Sequence, residues 1–161
     1  FFFFCFYRLE SALVPEIIYH EFSHIALSDH LELSHSSPVN EGLADFFAGK
    51  ISQSKKLALN IDKYNLYSGK EVKNKAMYRQ DFEMNSFANN DFVFGLLWNL
   101  GETVGADIEG KFVYELSKKL SSNSSIKEDL VGEALQTCEL FCQTPLVDKY
   151  KLYKMFHFKG I

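Results

Sequence analysis

The chain has 161 residues, a net charge of −4 and 47% hydrophobic residues, with 16 Phe and 8 Tyr. That length suits one domain, that composition supports a packed core rather than disorder, and that charge excludes the basic footprint of a nucleic-acid binder. No segment reaches the roughly 20 apolar residues of a membrane span, and the three cysteines, Cys5, Cys138 and Cys142, are too few and too odd in number for a disulfide framework.

The predicted class is mainly α, as a single domain over residues 1–161 with one or a few short strands near the N-terminus and in mid-chain. Residues 1–8, Phe-Phe-Phe-Phe-Cys-Phe-Tyr-Arg, read as a buried strand or the end of a leader. Pro15 suits the first turn of a helix, and Ile17, Ile18, Phe22, Ile25 and Ala26 follow at helical spacing. A buried helix is therefore expected near 15–28. Ser37 and Pro38 read as N-cap and first helical residue of a second helix carrying Val39, Leu43, Phe46, Phe47 and Ile51. Residues 52–88 lack long periodicity and predict loops with two short strands. A third helix is expected from about Asn90 to Thr103, stopped by Gly105, and a fourth from Asp107 to near Leu120. Ser125 and Glu128 form a capping-box pattern that opens a fifth. Thr144 and Pro145 open a sixth, running to about Phe156. Cys138 and Cys142, four apart on one helix face, predict two buried thiols.

The chemistry concentrates in residues 19–30. His20, Glu21 and His24 spell H-E-x-x-H, and His30 follows six residues later. Residues four apart share a helix face, so both imidazoles reach one metal ion. Glu21, one position round, is placed to take a proton from a water activated by that metal. Polar groups in so apolar a helix need a reason to be there.

A catalytic zinc takes three protein ligands and keeps one open position, and two residues compete for third place. His30 fits the spacing of H-E-x-x-H-x-x-G-x-x-H, but Leu27 stands where the glycine must turn the chain back. Glu41 lies 17 residues after His24 on the next helix, which an antiparallel packing brings to the metal. Asp45, one turn beyond Glu41, faces the same way and suits a hydrogen bond to a ligand ring. His35 and His157, without partners at ligand spacing, read as surface histidines.

His20-Glu21-x-x-His24 followed by Asn40-Glu41-x-x-Ala44-Asp45 resembles the gluzincin metallopeptidases, the thermolysin and fungalysin branches in particular. The resemblance continues through Phe94-Gly95-Leu96-Leu97-Trp98-Asn99-Leu100 and Gly110-Lys111-Phe112-Val113-Tyr114-Glu115-Leu116 to Met155-Phe156 and Lys159-Gly160-Ile161. It covers residues 15–161 in order. It implies a helical zinc-binding lobe over 15–161, with His20, His24 and Glu41 on Zn2+, Glu21 as general base and Asp45 orienting His20. Residues 1–14 would be the remnant of a truncated N-terminal β lobe or leader, and a missing β lobe would be a partner beside a peptide or protein substrate. The resemblance also points to a secreted or extracytoplasmic setting. Where such enzymes carry an oxyanion-stabilising histidine, this chain has Phe87 beside Asn85 and Ser86; Tyr64, Tyr67 and Tyr78 are substitutes, weighed against ordinary packing.

The expected activity is thus zinc-dependent hydrolysis of peptide bonds. One rival is a zinc-binding structural or interaction domain with impaired catalysis. A lesser rival is a metzincin-like peptidase using His30.

Overall fold

A computed structural model describes residues 14–29, 37–57, 70–71, 90–121 and 124–161. In these residues six helices and one two-stranded pair follow in chain order: α1 (Pro15–Leu27), α2 (Pro38–Ile51), β1 (Lys56–Leu57), β2 (Lys70–Glu71), α3 (Asn90–Val104), α4 (Glu109–Ser117), α5 (Val131–Phe141) and α6 (Pro145–Lys159). β1 and β2 pair antiparallel, Lys56 opposite Glu71 and Leu57 opposite Lys70. The architecture is mainly helical, as the hydrophobic periodicity predicts.

Three helices start at proline, where the missing N–H is one the first turn would leave unbonded: Pro15, Pro38 and Pro145. Ser37 takes the extended N-cap conformation, with φ −85° and ψ 123°. Its buried hydroxyl nevertheless finds no hydrogen-bond partner among the described residues. At the C-termini, Gly105 (φ 114°) and Gly160 (φ 81°) adopt left-handed conformations that a side chain would strain. Gly105 lets α3 reverse directly into α4, whose Glu109 N–H reaches back to the Gly105 carbonyl at 3.0 Å. The fourth helix is shorter than predicted, because Ala106–Ile108 form that reversing turn. The sixth is three residues longer and ends at Gly160.

The predicted capping box at Ser125 forms with a shift. Ser125 Oγ accepts from the N–H groups of Glu128 and Asp129 at 3.2 and 3.1 Å. The reciprocal acceptor is Asp129 Oδ2, 2.8 Å from the Ser125 N–H, in place of Glu128. The cause is local: Ile126–Leu130 form a π-helical turn, with Leu130 N–H bonded to the Ser125 carbonyl. A turn widened by one residue puts the next residue over the N-cap.

Two expectations are corrected. Cys138 and Cys142 are not separate thiols; a disulfide joins them across the end of α5, with Cα atoms 5.1 Å apart. Cys142 leaves the helix in an extended conformation (ψ 134°), which places it within bridging range. The second correction concerns α1. Ile18, Phe22 and Ile25 are 50%, 59% and 53% exposed, so the helix is not buried through its apolar stripe. At about 100° per residue these three lie opposite the face holding His20, His24 and Leu27. α1 buries Ser23, His24 and Leu27, and the polar face is the one that docks.

α2 lies between α1 and α3. Its far side packs Leu43 and Phe46 into a core shared with Phe94, Leu97, Phe112 and Leu116, all fully buried. Burying side chains of this size contributes about 1.5–3 kcal/mol each. The C-terminal end of α2 is clamped as well: Lys50 Nζ sits 3.7 Å from the Trp98 ring and 2.6 Å from Glu109 Oε1. The Trp98 N–H donates to Glu102 Oε1 at 2.9 Å. α2 is therefore a fixed platform against which α1 presents its histidines. No helix among the described residues is long and apolar enough to cross a membrane.

Candidate metal centre

Among the described residues the site is built from two helices, with His20 facing Asp45 and His24 facing Asn40 as antiparallel packing requires. His20 and His24, one turn apart on α1, bring their Nε2 atoms to within 3.0 Å of each other. Glu41, in the first turn of α2, faces both: Oε2 is 3.5 Å from His20 Nε2, and Oε1 is 3.3 Å from His24 Nε2. A single tetrahedral zinc with bonds near 2.0–2.1 Å needs ligand atoms about 3.3 Å apart. The two Glu41 distances run to different carboxylate oxygens; with one ligand atom taken from each residue, all three lie within 4.8 Å of one another, so a small adjustment of the carboxylate brings them to that spacing. Among the described residues His20, His24 and Glu41 are the group that could hold a metal ion.

The rings are held from behind. His20 Nδ1 lies 2.8 Å from Asp45 Oδ1, and His24 Nδ1 lies 3.3 Å from Asn40 Oδ1. Both partners are acceptors, so both Nδ1 atoms donate, and in the neutral rings both Nε2 atoms present lone pairs. Two imidazole nitrogens and a carboxylate then converge, an electron-rich arrangement that a cation or a proton would stabilise. Burial works against a charge on His20, but the hydrogen bonds and negative charges of Asp45 and Glu41 outweigh it and raise its pKa to about 9. Burial likewise works against ionising Glu41, and the hydrogen bonds and charges of His20 and His24 override it, holding the carboxyl well below the usual carboxylate range. The donor set is borderline-soft nitrogen plus one carboxylate, which suits zinc.

Glu21 sits one residue round from His20, half-buried, and no carboxylate contact ties it down among the described residues. Asp45 is buried, at 2% exposure. The structure thus brings together His20, His24, Glu41 and Asp45, and Glu21 is their neighbour on α1 in sequence only. His157 is on the surface, as expected. His30, the rival ligand, lies outside the described residues, as do His35, Tyr64, Tyr67, Tyr78, Asn85, Ser86 and Phe87.

Sequence reasoning passed over Asn40 as a functional side chain. A signal for it was present: two rings four residues apart on α1 need two acceptors on α2, and Asn40 and Asp45, five residues apart, flank Glu41.

No family model matches this chain, and neither curated proteins nor solved structures match it.

Proposed function

We propose that the chain is a zinc-dependent metallopeptidase of the gluzincin type, acting on peptides or proteins. In this reading His20, His24 and Glu41 hold the metal, Glu21 is the general base and Asp45 orients His20. The observation that carries it is the convergence of two histidine nitrogens and the Glu41 carboxylate, with both rings held from behind by Asp45 and Asn40.

Zinc, when bound, supplies a Lewis acid that polarises a carbonyl and lowers the pKa of water towards about 7. The protein's own residues do the rest. Asp45 and Asn40 keep each imidazole in the tautomer whose Nε2 is free to ligate. Asp45 also adds negative charge behind His20, which strengthens that nitrogen as a ligand. Glu21, uncommitted to a partner among the described residues, accepts a proton from the attacking water at a carboxylate oxygen. It then delivers that proton to the nitrogen of the departing amine. One water is consumed, one C–N bond breaks, one C–O bond forms, and Glu21 returns to its starting state.

A second reading has one observation in its favour. The exposed stripe of Ile18, Phe22 and Ile25 on the same helix suits a zinc-stabilised interaction domain without catalysis. A mixed peptide library separates the two. In the peptidase reading the zinc-loaded parent cleaves, and Glu21→Gln lowers turnover by about 10²–10⁴ while keeping its zinc. A parent that holds zinc and cleaves nothing supports the interaction domain. Equal cleavage by parent and Glu21→Gln removes Glu21 from the mechanism.

A further inference from the structure

We propose that Gly42 is a positioning residue for the metal centre: its missing side chain lets α2 seat against Val93 of α3, and that seat sets where the Glu41 carboxylate meets His20 and His24. The inference rests on the metal-site reading above and deepens it.

α2 carries two working faces. Glu41 and Asp45, one turn apart, face α1. Gly42 and Gly49, two turns apart, face α3. A Cβ added at Gly42 would lie 2.3 Å from Val93 Cγ1, 2.6 Å from Val93 Cβ and 3.2 Å from the Phe94 backbone nitrogen. None of these is the loose end of a flexible side chain. Valine is stiff at χ1, its Cβ moves only with the backbone, and Val93 is fully buried between Phe92 and Phe94. Carbon atoms pack best at about 3.5–4.0 Å, so relief requires α2 and α3 to part by about 1 Å.

A retreat of α2 from Val93 carries Glu41 with it, sideways across the two histidine nitrogens from which it stands 3.3 and 3.5 Å. Metal–ligand distances hold to about ±0.2 Å. A helix displacement several times that tolerance, applied one residue from Glu41, therefore spoils the ligand geometry before it unfolds the protein. Glycine directly after the ligand removes the conflict.

Gly49 supplies the internal control. A Cβ there would meet the Ser54 carbonyl at 2.9 Å, Trp98 Cζ3 at 3.0 Å and Phe94 Cζ at 3.2 Å. The overlap is milder, and it falls about 10 Å further along the helix. Gly49→Ala disturbs the same seam away from the ligand.

The test measures zinc affinity by competition with a chromophoric chelator, the visible spectrum of the Co2+-substituted protein and thermal stability. The variants are Gly42→Ala, Gly49→Ala and the double variant Gly42→Ala/Val93→Gly. Gly42→Ala is expected to lose at least about tenfold in zinc affinity and to shift its cobalt bands. Gly49→Ala is expected to lose thermal stability with affinity and spectrum unchanged. The double variant removes the Val93 contacts and is expected to regain affinity and spectrum without regaining stability. That result supports the inference even where Gly42→Ala alone fails to fold. Parental affinity and spectrum in Gly42→Ala, equal affinity loss in Gly49→Ala, or a folded double variant that still binds weakly each overturns it. A parent that takes up no zinc overturns the metal-site reading itself, and this inference with it.

Discussion

Asp45 offers the sharpest perturbation of the proposed centre. Its Oδ1 lies 2.8 Å from His20 Nδ1, and the residue is 2% exposed, so solvent does little to screen the interaction. A hydrogen bond to a charged group contributes about 1.5–3 kcal/mol. Loss of such a partner behind a metal-bound histidine typically lowers metal affinity about 10- to 100-fold, which is about 1.4–2.7 kcal/mol. The two ranges agree. Asp45→Asn keeps an acceptor of nearly the same shape but removes the charge. Asp45→Ala removes both and leaves a buried N–H unpaired, at a further cost of about 1–3 kcal/mol. Asp45 also has other partners in its buried setting, so the alanine variant loses fold stability as well, and the asparagine variant isolates the charge. Competition titration with a chromophoric chelator should rank zinc affinity as parent above Asp45→Asn above Asp45→Ala. An Asp45→Ala protein that folds and binds zinc as tightly as the parent would refute the role given to this carboxylate.

The same logic makes Asn40→Ala a smaller lesion, because its contact to His24 is neutral and longer, at 3.3 Å; the titration should show a loss of at most about tenfold. His30→Ala is expected to keep full zinc content by elemental analysis, and loss of the metal would restore His30 as the third ligand. Phe46→Ala should cost about 3–5 kcal/mol, since the ring is fully buried and lies edge-on to Phe47 and Trp98. For a chain of this length that lowers Tm by roughly 10 °C; a shift of a degree or two in a thermal scan would mean the α2–α3 seam is not the core described.

What the sequence reveals about this fold follows the range of the forces involved. Helix starts at Pro15, Pro38 and Pro145 are legible because proline's missing N–H acts within one turn. The end at Gly105 is legible because only glycine takes that angle cheaply, while the end at Gly160 falls three residues past the expected one although the same rule applies. The pairing of His20 with His24 is likewise local. Glu41 is reachable by argument because the two helices must pack antiparallel to bring it to the histidines. The failures are non-local. Periodicity identifies an apolar stripe on α1 but not which face docks, and the polar face wins because Glu41, Asp45 and Asn40 satisfy its histidines. The Ser125 box closes on Asp129 because of a π turn that no composition rule announces. The Cys138–Cys142 bridge depends on where the helix lets go of its last residue. Asn40 escapes because its role exists only across the interface.

The most direct measurement of the central claim is zinc per chain, by elemental analysis, in the parent and in Glu41→Ala after equal exposure to the metal. The account predicts close to one zinc in the parent and almost none in a folded Glu41→Ala protein. Equal zinc in both would take Glu41 out of the site, and a folded parent without zinc would leave His20, His24 and Glu41 as a proton-sharing cluster and contradict the account.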